Sequence, residues 1–308
     1  MSILITGGAG FIGSNLADSL LSDGEEIIVL DNFNNYYDSK LKRLNITHNL
    51  KNPLYRLYEG DIRDQQLIDK VFLENNIEAV VHLAAQAGVR KSFENPKEYI
   101  STNIEGSCCV LEGMRKSDVK KIIFASSSSV YGNCRSEQFS EDLQSLCPLS
   151  PYAMTKLSGE HLMRIYSQAY GINAICLRFF TVYGSRQRPD LAIQKFSKLI
   201  LQGEPIEVYG DGKSLRDYTH VKDTVTGIKL ALKYDKTSYE IINIGSGNPV
   251  SLHDMISTLE RALNKKSIIK YSQMPAGDVL RTYADITKAK KLLGYQPQIS
   301  FNYKTILT

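Results

Sequence analysis

The stretch that most limits what this chain can fold into is "TGGAGFIG", Thr6 to Gly13. It lies between the apolar run "ILIT" and an amphipathic stretch from Phe11 to Leu21. Its glycines, Gly7, Gly10 and Gly13, have G-x-x-G-x-x-G spacing. Between a strand and a helix, the first permits a tight turn, the second lets backbone approach a pyrophosphate, and the third lets helix pack on strand. The helix start then offers free N–H groups and a partial positive charge to phosphate. Such a turn belongs in a parallel βαβ unit, and the chain supplies the rest of one. "EIIVLD", "LYRLYEGD", "AVVHLAA", "KIIFA" and "AICLRFF" are strand-length apolar runs, separated by helical patterns near Gln65–Glu74, Pro96–Lys116 and Pro151–Tyr170. This alternation implies an α/β fold with a doubly wound parallel sheet.

After Phe180 the rhythm changes. Turns such as "GSRQRPD", "YGDGKS", "GSGNP" and "MPAGD" become frequent, with helices expected at Leu191–Gln202, Val221–Lys233 and Leu252–Leu263. "IINIGSG" reads as one more buried strand. The expectation is a Rossmann-type dinucleotide-binding domain over residues 1–180, with 220–246 returning to it. Residues 181–219 and 247–308 are expected to form a smaller, partly interleaved C-terminal lobe for substrate.

Composition excludes several classes. With 308 residues and 43% hydrophobic, a sizeable core is available. A net charge of +4 is too mild for a nucleic-acid footprint. No apolar run approaches the roughly 18 residues of a membrane span. The five cysteines are scattered without a C-x-x-C, and no pair of the five histidines has metal-binding spacing. The chain also starts directly on a strand, with no charged leader. These features point to a cytoplasmic protein without disulfides, metal, nucleic acid or membrane partner.

Asp31 ends the second strand, 18 residues beyond Gly13. A carboxylate there can accept both ribose hydroxyls and would repel a 2′-phosphate, favouring NAD over NADP. Y-x-x-x-K occurs four times, at Tyr36/Lys40, Tyr152/Lys156, Tyr209/Lys213 and Tyr218/Lys222. Three fall in turn-rich, polar stretches. Only Tyr152/Lys156 opens a long helix, after Pro151, where a spacing of four stacks both side chains on one face. A free phenol has a pKa near ~10, too high for a base at neutral pH. A nearby ammonium and a positive nicotinamide ring would lower it. A Ser or Thr at the end of a neighbouring strand would complete the proton relay, and "SSSSVYG" follows "KIIFA" directly.

Together, "TGGAGFIG", "HLAAQAGVR", "SSSSVYG", "SPYAMTK", "RFFTVYG" and "GDGKSLRDYTHVKD" resemble the extended short-chain dehydrogenase/reductases, and within them the nucleotide-sugar epimerases, from about Ser2 to Pro297. The resemblance implies that Tyr152 is the base, that Lys156 binds the nicotinamide ribose and tunes it, and that Ser127 is the catalytic hydroxyl. It implies a tightly held NAD touching Gly7, Gly10, Phe11, Ile12 and Gly13, then Asp31, Asn32, Asn34 and Asn35. Asp61 and Ile62 are expected at the adenine. Leu83, Ala84, Ala85, Gln86, Asn103 and Ser126 are expected along the cofactor, with Phe179 and Phe180 at the nicotinamide end. A homodimer through the helices Pro96–Lys116 and Pro151–Tyr170 is also implied.

The serine run discriminates within the family. Resembling dehydratases and decarboxylases carry a glutamate two residues before the tyrosine of "VYG", and dehydratases an aspartate before that; here Ser129 and Ser128 stand there. Hydroxyls cannot replace those carboxyls as acid and base at neutral pH, so a 4-epimerase is expected. "DNFNNYYDSKLKR", "RFFTVYG" and "MPAGDV" look most like UDP-glucuronate 4-epimerases. Ser128, Ser129 and Thr181 would donate to a C6 carboxylate that a glutamate would repel. Arg188, Lys195 and Arg216 are candidates for the diphosphate. Arg90, Val208 and Asp278 are further substrate candidates, and Arg281 is expected to replace the arginine that glucose-type relatives carry where Pro275 stands. The alternatives are a UDP-glucose or UDP-N-acetylglucosamine 4-epimerase, a net oxidoreductase that releases NADH, or a non-catalytic NAD-binding regulator.

Overall fold

The computed structural model describes residues 1–134, 136–275 and 277–308. Its strands are β1 (Ser2–Thr6), β2 (Glu26–Asp31), β3 (Tyr55–Glu59), β4 (Ala79–His82), β5 (Lys121–Ser127), β6 (Asn173–Phe179), β7 (Thr181–Tyr183), β8 (Pro205–Tyr209), β9 (Leu215–His220), β10 (Tyr239–Ile244), β11 (Pro249–Ser251) and β12 (Ile268–Ser272). The helices are α1 (Phe11–Ser22), α2 (Ser39–Ile46), α3 (Gln65–Glu74), α4 (Val89–Glu94), α5 (Pro96–Ile100), α6 (Gly106–Lys116), α7 (Pro151–Tyr170), α8 (Ala192–Gln202), α9 (Val221–Lys233), α10 (Leu252–Leu263) and α11 (Thr287–Leu293).

The main sheet has the order β10-β6-β5-β4-β1-β2-β3, with all pairs parallel. Its inner strands, such as β1 and β4, are buried along their whole length because both faces are covered, while the edge strands β3 and β10 are partly exposed. Ile3 and Ile5 of β1 face one cluster, with Leu16 of α1 and Val225 of α9. Leu4 faces the other, with Val71 of α3, Leu111 of α6 and Met163 of α7. β1 pairs with both β2 and β4, and the chain leaves it in opposite directions. That switch point opens a crevice beyond the carboxyl ends of the strands, where α/β sheets bind ligands.

β7, β9 and β11 form a three-stranded sheet, and β8 pairs with β12. A separate cluster of Ile193, Phe196, Val208, Tyr218, Met255 and Leu259 fills this smaller part. The boundary is not where the turns suggest. Ala284, Ile286, Ala289 and Leu293 pack into the main cluster rather than the smaller one. Asp217 of β9, fully buried, accepts from the backbone N–H groups of Ser246, Gly247 and Ala284 at 2.7, 2.9 and 3.2 Å. It thereby ties three segments at the junction.

The helical pattern over Pro96–Lys116 is not one helix. α5 and α6 are joined by a π-helical turn, Ser101–Glu105. The wider turn accommodates Asn103, whose amide donates to the Gln86 carbonyl at 3.0 Å and to the Thr155 hydroxyl at 2.9 Å. Tyr218/Lys222 also departs from its expected setting. Tyr218 is buried in β9 and Lys222 lies on α9, so the pair spans a strand–helix junction rather than a polar turn.

Candidate active site

β5 ends at Ser127, and Ser128–Tyr131 make one tight 3-10 turn. The Ser127 hydroxyl accepts from the Ser129 backbone N–H at 3.2 Å and from the Ser129 hydroxyl at 2.9 Å. α7 starts beside this turn. Ser150 caps it by accepting from the Ala153 N–H at 3.1 Å, and Pro151 fills its first position. Tyr152, Lys156 and Glu160 then succeed one another at spacings of four on one face.

Tyr152 and Ser127 line the same cavity, and the Ser127 hydroxyl acts on the Tyr152 phenol. Burial raises the Tyr152 pKa, while the Ser127 hydroxyl and the charge of Arg188 pull against it. Arg188, from the chain after β7, is thus one cation that favours the phenolate. Burial lowers the Lys156 ammonium to about 8, and its Nζ donates to the Ala125 carbonyl at 2.7 Å.

These groups line a cavity of about 470 Å³ whose opposite end is the glycine loop. Gly7, Gly10, Phe11, Ile12, Gly13, Asp31, Asn32, Asn34, Ile62, Leu83, Ala84, Ala85, Ser126 and Phe179 lie on its wall, as do Ser127, Ser128, Ser129, Thr181, Arg188, Arg216 and Asp278. The loop is shaped for a dinucleotide. Gly7 has φ +72°, and a Cβ there would lie 2.8 Å from the Ala84 nitrogen; one at Gly13 would strike the Gly7 carbonyl. α1 begins at Phe11, and Gly10 before it provides no side-chain cap, which leaves the first N–H groups for phosphate. Asp31 accepts from the Phe33 and Ala9 N–H groups at 2.9 and 3.0 Å, yet burial still raises its pKa.

Other expected residues lie elsewhere. Asn103 and Gln86 are not on the cavity wall; they brace the chain after β4 against α7. Asp61 is held by Arg63 and Asn32, which lower it to about 2, while its neighbours Gly60 and Ile62 face the cavity. Asn35 and Lys195 are exposed and off the wall. Val208 is in the core of the smaller lobe, because alternate residues of β8 turn inward. Arg281 donates to the Ser136 carbonyl at 2.8 Å. Arg90 is paired with Asp278 at 2.7 Å and lies over the Tyr209 ring, so it reaches the cavity only through Asp278.

The sequence reading missed Tyr36, Tyr37, Lys42, Gly88, Leu149 and Val279, all on the wall. Tyr36 and Tyr37 lie within the quoted "DNFNNYYDSKLKR", where a pair of aromatics amid polar residues was the available signal.

A family model described as GDP-mannose 4,6 dehydratase matches residues 4–305. The chain belongs to this branch of the extended short-chain dehydrogenase/reductase family. Within the family, it is 43% identical over 298 residues to a UDP-glucuronate 4-epimerase of Thermodesulfobacterium geofontis, covering 96% of this chain and 91% of that one. The structure of the UDP-glucuronic acid 4-epimerase from Bacillus cereus, in complex with UDP-glucuronic acid and NAD, superposes with a TM-score of 0.93. It has 38% identity and covers 99% of this chain and 98% of that one. A Thermus thermophilus UDP-glucose 4-epimerase complexed with NAD has a TM-score of 0.89 and 30% identity, over 99% and 97% of the two chains. The family model's description names a dehydratase, yet Ser128 and Ser129 stand where that chemistry places carboxyls.

Proposed function

We propose that this chain is an NAD-dependent isomerase, a UDP-glucuronate 4-epimerase that interconverts UDP-glucuronate and UDP-galacturonate. The observation that carries this is one cavity holding both a dinucleotide cradle and the Ser127–Tyr152–Lys156 cluster, with hydroxyls in place of carboxylates on the adjoining shelf. NAD would be held by the glycine loop, α1 and Asp31, and supplies a reversible hydride acceptor for C4 of the sugar.

Tyr152 takes the proton of the C4 hydroxyl, with the Ser127 hydroxyl beside it favouring the phenolate. Arg188 helps the phenolate form. Lys156, fixed to the Ala125 carbonyl, would present its remaining N–H bonds to the ribose hydroxyls of the cofactor. Thr181, Ser128 and Ser129 offer donors to a C6 carboxylate. Asp278 and Arg216 line the same wall as candidates for the nucleotide part, and burial lowers the Arg216 pKa, leaving a charge that an anion would compensate. The protein acts on a soluble sugar nucleotide; among the described residues no helix is long and apolar enough to cross a membrane. A homodimer through α6 and α7 fits the exposed Ile165 and Tyr170 on α7.

The test is to supply UDP-glucuronate, UDP-glucose and UDP-N-acetylglucosamine separately and resolve the products by chromatography. UDP-galacturonate from the first, at least tenfold faster than product from the others, is expected. No UDP-galacturonate overturns the substrate assignment, and NADH accumulating in step with product overturns the epimerase.

A further inference from the structure

We propose that Tyr36 is a latch that retains the dinucleotide, by bridging three loops across the cavity between the glycine loop and the serine shelf. The inference rests on the NAD reading above.

The chain after β2 is bent by three successive side-chain turns. Asp31 accepts from the Phe33 N–H at 2.9 Å, Asn32 from Asn34 at 3.0 Å and Asn34 from Tyr36 at 3.2 Å. Phe33 has φ 48° within this bend. Lys42 locks it by donating to the Asn34 carbonyl at 3.0 Å and the Asn34 side chain at 2.8 Å. The result projects Tyr36 away from the cofactor cradle and onto two other loops.

On the loop after β4, the Tyr36 hydroxyl packs on Gly88, where any Cβ would collide with it. Beside it, the Tyr99 hydroxyl donates to the Ala87 carbonyl at 2.7 Å and acts on the Tyr36 phenol. Lys91 lies 4.0 Å from the Tyr36 ring centroid and donates to the Tyr36 carbonyl at 3.2 Å. On the chain after β7, the Arg188 guanidinium lies 5.1 Å from the same ring and is held by Asp190 through two bonds of 3.0 Å. Tyr36, Ala87, Gly88 and Arg188 all line the cavity, and Tyr99 reaches Tyr152 edge-on at 6.3 Å. A ligand long enough to span the cradle and the serine shelf runs along this bridge, and leaves only if the bridge opens.

The chemistry explains the need. In an epimerase the hydride must return to the sugar that gave it, so a reduced cofactor that escapes in mid-cycle strands the keto sugar. One aromatic within reach of two cations, with its hydroxyl packed on Gly88, ties three otherwise independent loops.

The experiment uses the protein as isolated with its bound dinucleotide. Wild type, Tyr36→Ala and the double variant Tyr36→Phe/Lys91→Met are incubated with excess radiolabelled NAD, and protein-bound label is followed by rapid gel filtration. Exchange at least tenfold faster in Tyr36→Ala and severalfold faster in the double variant is expected, with urea midpoints close to wild type. Wild-type exchange rates in either variant overturn the latch. Faster exchange that merely tracks a matching fall in the urea midpoint also overturns it, as general loosening. If Tyr36→Ala does not fold, the double variant alone decides. Wild-type protein that neither carries a dinucleotide nor takes up label overturns the NAD reading, and the latch with it.

Discussion

Beneath the serine shelf lies an ion pair sealed from water. Arg178 of β6 meets Glu160 of α7 through two bonds of 2.8 Å, with both side chains 2% exposed. Ser126, next to the proposed catalytic Ser127, donates to the same carboxylate at 2.5 Å. The guanidinium also lies over the Tyr131 ring at 4.7 Å. Replacing Arg178 by Met leaves the Glu160 carboxylate buried with one hydroxyl partner, and replacing Glu160 by Leu leaves a buried guanidinium. Removing one partner of a buried pair costs about 3–5 kcal/mol, chiefly because the survivor keeps its desolvation penalty. Replacing both leaves only the Ser126 hydroxyl unsatisfied, at roughly 1–3 kcal/mol. The double variant Glu160→Leu/Arg178→Met should therefore be more stable than either single variant.

Urea unfolding of all four proteins, each saturated with the same excess of NAD so that ligand linkage is equal, measures the cycle. A coupling of several kcal/mol is expected. Single costs that add to the double cost, or singles that lose less than about 1 kcal/mol, would refute the reasoning, because the pair would then not be acting as a sealed unit.

Further outcomes are open to direct measurement. Tyr152→Phe should lose turnover by about 10³-fold or more while keeping bound NAD, since one hydrogen-bonding oxygen goes and the cradle stays; bound NAD lost together with the fold would show a structural role instead. His82 lies between Thr6 at 2.7 Å and Ser107 at 2.9 Å, and burial, then the Lys156 charge, lowers it to about 3. Between that value and the ordinary 6.5 the unfolded chain binds the extra proton, so stability falls as pH drops through this window, by up to a few kcal/mol. His82→Gln should flatten the slope of urea midpoint against pH by up to one proton, and an unchanged slope would contradict this. Ser129→Glu should raise KM for UDP-glucuronate at least tenfold more than Ser129→Gln; equal effects would remove the carboxylate from the serine shelf. Gly13→Ala should abolish NAD retention, because its Cβ would meet the Gly7 carbonyl, and normal retention would show that the loop can relax.

What was legible in the sequence is what a regular period controls. β1 is buried on both faces, so it reads as an unbroken apolar run, and the glycines after it fall where one turn of backbone geometry demands them. Ser150, Pro151, Tyr152 and Lys156 are set by one helix, and a helix fixes the relation of residues four apart whatever surrounds it. β8 shows how neglect of a period misleads. Its burial alternates, so Val208 turns inward and cannot meet substrate, a result available from the period-two rule. The family resemblance places Asn103 along the cofactor, but a π-helical turn, which no apolar periodicity marks, turns it into a brace.

The rest depends on loops from distant parts of the chain meeting over the sheet. Tyr36, Gly88 and Arg188 are 52 and 100 residues apart in sequence and share one contact only because β2, β4 and β7 deliver their loops to the same end of the fold. No local pattern encodes that meeting. The same convergence brings Arg188, from a loop far along the chain, to act on Tyr152. Lys156 spends a donor on the Ala125 carbonyl at the end of β5, whereas Arg188 is pinned by Asp190 with its charge towards the cavity. The helix supplies the base and its partner, and the loops supply the field that the base works in.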